Sequence, residues 1–151
     1  MKAVTLWQPW ANYCVTPSET DPERPVKQYE TRSWTTRHRG LIAIHASKRW
    51  GCDQAMRFGF PELPLGAIVG VVEIVDMWAT NLVGWVSRLS DEERSLGDFS
   101  PNRYGWELAN PRKLDEPIPC RGKQGIWVLD AEIEEKLMRR LELITTGSTA
   151  Q

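Results

Sequence analysis

Lys27-Gln28-Tyr29-Glu30-Thr31-Arg32-Ser33-Trp34, then the turn Thr35-Thr36-Arg37-His38-Arg39-Gly40, then Leu41-Ile42-Ala43-Ile44-His45-Ala46-Ser47-Lys48, is the stretch on which the reading of this chain turns. With a two-residue period, Gln28, Glu30, Arg32 and Trp34 fall on one face of a strand. An acid and a base two positions apart lie roughly 6–7 Å from each other along that face. Such a face is either bathed in solvent or lines a polar cleft. Positions 41–46 are nearly all apolar and read as an inner strand, so 28–34 and 41–47 read as a hairpin. From position 31 to position 52 there is no acid at all, against Arg32, Arg37, Arg39, Lys48 and Arg49. That local imbalance is the strongest functional hint in the sequence.

Upstream, residues 2–6 read as a short first strand. Pro9 suits the first turn of a helix, where its missing N–H costs nothing. Trp10, Tyr13 and Cys14 at i, i+3, i+4 predict one buried face for that helix. Residues 16–26 contain Pro17, Pro22 and Pro25 and read as a loop. Downstream, a short helix is expected around 53–58, limited by Pro61 and Pro64. Residues 66–76 are the clearest strand, β-branched and ended by an acid. A helix is expected within 80–97, with Ser90 as N-cap and Glu93 completing a capping box. Residues 104–109 alternate as another strand, which Asn110-Pro111 is expected to break. A basic, glycine-containing loop at 118–125 feeds a last strand at 126–129. Asp130 then caps an amphipathic helix that buries Ile133, Leu137, Leu141 and Ile144 and that Gly147 is expected to stop.

At 151 residues the chain reads as one domain over 1–146 with a disordered tail at 147–151. Many short strands, few helices and no regular βαβ alternation predict an α+β fold, a small β-barrel of about five to six strands with flanking helices and a C-terminal helix. The net charge of −1 argues against a uniformly basic coat, but the acids cluster elsewhere and leave room for a basic patch. Eight tryptophans offer core packing or stacking platforms; Trp7, Trp78 and Trp127 are assigned to the core. Three cysteines without a C-x-x-C pair and two histidines assemble no zinc framework, and a reduced, cytoplasmic setting fits them. No apolar run nears the roughly 20 residues of a spanning helix, so no membrane partner is expected. There is no P-loop, nucleophile elbow or carboxylate cluster, and neither a cofactor nor a metal is expected.

Five blocks fall in a recognisable order. They are Leu6-Trp7-Gln8-Pro9-Trp10-Ala11; Lys27-x-x-Glu30-x-Arg32-Ser33-Trp34; Arg39-Gly40-Leu41-x-x-Ile44-His45-Ala46-x-Lys48; Leu65-Gly66-x-x-x-Gly70-x-Val72; and Asn110-Pro111 followed by Pro117-Ile118-x-x-x-Gly122. Together they resemble the ASCH domains (activating signal cointegrator homology) over about residues 3–130. The resemblance implies a PUA-like β-barrel with a cleft between barrel and helices, lined by the lysine–glutamate–arginine signature. It also implies company among RNA binders, often of modified RNA. The 16–26 loop is longer than the family's usual link, which is expected to reshape one wall of the cleft. Glu30 stands where the N4-acetylcytidine amidohydrolase relatives carry a threonine nucleophile.

Three functions are open on this reading. The first is a nucleic-acid-binding module for RNA or another single strand, or for a modified nucleoside. There Lys27 and Arg32 hold phosphate or a base edge, and Glu30 accepts from an exocyclic amino group. Gln8, Trp10, Ser33 and Trp34 complete the cleft, and Arg37, Arg39, Lys48, Arg121 and Lys123 track phosphates. The second is a metal-independent hydrolase of a modified nucleoside or RNA, with Lys27, Glu30 and Arg32 catalytic. The third is a small-molecule sensor or protein adaptor. The bland alternatives are an ion pair on a solvated strand, worth about 0–1 kcal/mol, a core histidine at position 45, and a capping role for Gln8. Lys27 is expected to be exposed, its removal costing the fold no more than about 0.5 kcal/mol. Nothing in the sequence indicates the oligomeric state.

Overall fold

The computed structural model describes residues 1–50 and 63–149. In chain order it contains β1 (Lys2–Gln8), α1 (Trp10–Val15), β2 (Tyr29–Arg32), β3 (Gly40–Trp50) and β4 (Ala67–Ala79). There follow α2 (Val83–Val86), α3 (Asp91–Ser95), β5 (Tyr104–Pro119), β6 (Ile126–Val128) and α4 (Ala131–Thr149). The strands make one six-stranded sheet in the order β2-β5-β4-β3-β1-β6. β1 and β3 run parallel and the other pairs antiparallel.

β3 and β4 sit in the middle because their apolar runs need cover on both faces. On one face Ile42, Ile44, Val69 and Val72 pack with Ala11, Cys14 and Val15 of α1. On the other, Ala43, Ile68 and Val71 pack with Leu137 and Leu141 of α4. Fully burying each larger aliphatic side chain contributes about 1.5–3 kcal/mol. The α4 stripe is the one its periodicity predicted. In α1 the sequence reading was only partly right, since Cys14 is buried but Trp10 and Tyr13 are half-exposed and Ala11 and Val15 complete the inner face.

Several expectations are corrected. The segments 28–34 and 41–47 do not pair with each other: β2 pairs with β5, and β3 pairs with β4 and β1. A polar four-residue strand cannot cover an inner apolar one, and it goes to the sheet edge instead. The sheet does not close into a barrel, because β2 and β6 end it at opposite edges; at four and three residues both are short, as exposed edges commonly are. Asn110-Pro111 does not break its strand. Asn110 takes φ 53°, the β4–β5 register shifts there, and β5 bends and continues to Pro119. Residues 80–97 give two short helices rather than one. The backbone of α4 runs past Gly147 to Thr149, since a glycine weakens a helix by only about 1 kcal/mol. The short helix expected around 53–58 lies outside the described residues.

Candidate nucleic-acid interface

Lys27 is the residue that builds the cleft. It is 2% exposed, against the expectation of a free side chain, and its ammonium donates to the carbonyls of Tyr29 and Leu96, each at 2.7 Å. It thereby ties the entry of β2 to the end of α3. The capping box of α3 is half-formed: Ser90 Oγ accepts from the Glu93 N–H at 3.1 Å. The Glu93 carboxylate turns inward and accepts from the Tyr29 N–H at 2.7 Å. Burial pushes the Glu93 carboxyl up from its ordinary value, opposed by the charge of Lys27 and by backbone N–H groups of Tyr29 and Gln28. Thr31 Oγ1 accepts from the Asp98 N–H at 3.0 Å. These bonds hold residues 95–98 as a wall facing β2.

Between that wall and β1 lies a first chamber of about 630 Å³, reached by Trp10, Lys27, Glu30, Arg32 and Arg103. Arg32 Nε lies 3.3 Å from Glu30 Oε1 as an ion pair without hydrogen-bond alignment, while Arg32 Nη2 donates to the Thr5 carbonyl at 3.0 Å. The pair is mostly shielded from solvent, so it is not the solvated strand pair of the bland reading. Its orientation is fixed by β1, not by β2 alone.

Thr5, Trp7 and Arg32 also border a second chamber of about 740 Å³, so the two open onto a common ridge. Among the described residues the second is lined by Arg32, Lys48, Arg49, Arg121 and Lys123 and by no carboxylate. At its floor the parallel β1–β3 register sets Thr5 beside His45. His45 Nε2 donates to the Cys120 carbonyl at 2.8 Å, which leaves Nδ1 to accept from the Thr5 hydroxyl at 3.3 Å. Thr5 Oγ1 in turn accepts from Trp127 Nε1 at 3.1 Å. A Cβ on Gly122 would stand 2.6 Å from the imidazole and 2.7 Å from Thr5 Oγ1, so only glycine lets the 120–125 loop close on this floor.

The core reading of His45 therefore holds. Burial lowers its pKa below the ordinary 6.5, with the Cys120 carbonyl pulling the other way. An unfolded chain takes up this proton near 6.5 and the folded chain resists it. The stabilising difference is thus complete above that value and is lost as pH falls below it. Wild type is expected to lose more melting temperature between about pH 7.5 and about pH 5.5 than His45→Gln does. Parallel pH profiles for the two proteins would contradict the assignment.

The sequence-derived residues divide. Lys27, Glu30, Arg32 and Trp10 meet in the first chamber, and Trp34, Lys48, Arg121 and Lys123 in the second. Trp34 also packs edge-on against Trp106, ring centroids 5.0 Å apart. Gln8 lies in neither chamber; fully buried, it accepts from the Asn12 N–H at 3.0 Å and caps α1. Ser33, Arg37 and Arg39 border neither chamber, and Arg39 donates to the carbonyls of Thr36 and His38. The 16–26 loop forms no wall of either chamber, because it closes on itself through Ser18–Arg24 and Thr16–Val26 backbone bonds and faces a separate recess. Trp7 was misassigned to the core: it is 50% exposed, on the ridge shared by both chambers. Its signal was legible, an indole on the outward phase of β1 between buried Leu6 and Gln8. Arg103, arriving from a region with no motif, had none.

No protein-family model matches the chain. Mouse and human activating signal cointegrator 1 are each 24% identical to it over 146 residues, an alignment covering 87% of this chain and 23% of theirs. The chain thus spans less than a quarter of the curated relatives it matches. The crystal structure of an ASCH protein from Zymomonas mobilis superposes with a TM-score of 0.55 at 15% identity, covering 91% of this chain and 93% of the other. A single-residue variant of that protein superposes with a TM-score of 0.57 at 16% identity, covering 91% and 96%.

Proposed function

This chain is an ASCH-domain protein, and on that premise we propose that it binds single-stranded or modified RNA in the two-chambered cleft. The observation that carries the reading is the division of charge. Among the described residues, a chamber lined by five cations and no carboxylate adjoins one that holds both carboxylates and cations, with a half-exposed indole on the ridge between. The basic chamber suits phosphates, which position a strand, and the mixed chamber suits a base edge, which needs donors and acceptors together. Trp7 offers the stacking face. We read residues 1–146 as one binding domain that works without a cofactor in a reducing, cytoplasmic setting. The hydrolase reading is less favoured, because Glu30 is paired with Arg32 and Lys27 is held by two carbonyls.

The test is a titration of single-stranded RNA at rising salt. Each phosphate held should contribute a slope near −0.7 in log K against log salt, so about three contacts give a slope near −2. An affinity that is flat in salt, or absent, would remove the proposal.

A further inference from the structure

The charge of the second chamber exceeds what the interior of a strand supplies. In the first chamber Lys27, Arg32 and Arg103 face Glu30 and Asp98, a near balance. Among the described residues the second has Arg32, Lys48, Arg49, Arg121 and Lys123 and no acid to offset them. An internal phosphodiester brings one negative charge per nucleotide, whereas a phosphomonoester brings about −1.5 to −2 near neutral pH. The polar atoms of the floor are already occupied, Trp127 to Thr5 to His45 to the Cys120 carbonyl, so they do not serve an anion. What remains is the cationic rim and the 121–125 loop. Among the described residues the backbone N–H groups of that loop meet no backbone carbonyl, and Gly125 takes φ 67°. Successive backbone N–H groups next to a left-handed residue form concavities that accept anions.

We infer that the basic chamber is a site for a terminal phosphate or phosphate chain, belonging to a nucleotide whose base crosses the Arg32 ridge into the first chamber. This rests on reading the cleft as a nucleotide site and goes beyond it. The ligand is then a phosphorylated strand end or a free nucleoside polyphosphate, two sources of one chemistry. Arg32, bonded to the Thr5 carbonyl and paired with Glu30, stands at the sugar–phosphate junction between base and phosphate.

The test compares one short RNA sequence in three forms, hydroxyl-ended, 5′-phosphorylated and 3′-phosphorylated. Each is measured by anisotropy against wild type and against the Arg121→Ala/Lys123→Ala protein, with nucleoside triphosphates as competitors. We expect one phosphorylated form to bind about tenfold or more tightly than the hydroxyl-ended RNA, and that ratio to shrink toward one in the double variant. Equal affinity for all three RNAs would overturn the inference and leave strand binding standing. Binding of triphosphates without any RNA would uphold the phosphate site and refute the strand reading. If neither RNA nor nucleotide bound, both would fall.

Discussion

Lys27→Ala is expected to destabilise the fold by about 2–4 kcal/mol, which for a domain of this size lowers the melting temperature by roughly 4–16 °C. The side chain is 2% exposed, so its loss leaves the Tyr29 and Leu96 carbonyls without their donor in a place water does not readily reach. It also strips the nearby cation from buried Glu93, whose carboxyl burial already pushes up. Lys27→Met keeps most of the aliphatic stem and none of the donors, and should recover little. Both variants should loosen residues 95–98 and weaken ligand binding as a consequence. Thermal melts of the two variants beside wild type decide the matter. A Lys27→Ala protein that melts within about 1 °C of wild type would show that the ammonium is a free ligand-binding group, as its sequence position first implied.

Reversing charge in the second chamber should have the largest effect on binding. Arg121→Glu/Lys123→Glu replaces two cations by two anions in a recess that, among the described residues, holds no carboxylate. Affinity for single-stranded RNA should fall by about 100-fold or more at low salt, close to 2.7 kcal/mol, and the salt slope should flatten. Both residues are exposed on a loop, so melting should change little. Arg37→Glu/Arg39→Glu changes the same number of charges in the acid-free stretch but outside both chambers. It should cost no more than about threefold. Similar losses from the two pairs would mean that overall charge, not this chamber, attracts the ligand.

The elements were legible where local physics decides them. The β-branched run of β4, the alternation of Trp106 and Leu108, the Ser90 cap and the Leu137–Leu141 stripe are all where periodicity and capping put them. Pairing was not legible, because it depends on which distant strand can cover an apolar face. β3 finds β1 in parallel, and no turn chemistry in the sequence announces that. The signature residues Lys27, Glu30 and Arg32 border one chamber, yet their bonding separated on folding. Lys27 went inward because the nearby Tyr29 carbonyl and the Leu96 carbonyl, 69 residues further along the chain than Lys27, both met its ammonium. Gln8 turned to α1, while Arg32 reached back to β1. Arg121 and Lys123 were visible as a basic loop, but their meeting with Lys48 and Arg49 follows from the sheet order and not from any spacing.

The most direct test of the cleft is photo-crosslinking of single-stranded RNA carrying 4-thiouridine, with mass spectrometry of the crosslinked peptides. The account predicts adducts on the peptides that contain Trp7 and the 120–125 loop, reduced when Arg121 and Lys123 are replaced. Adducts centred on Arg37 and Arg39, on α4, or around Trp78 and Trp85, with none at Trp7, would contradict it.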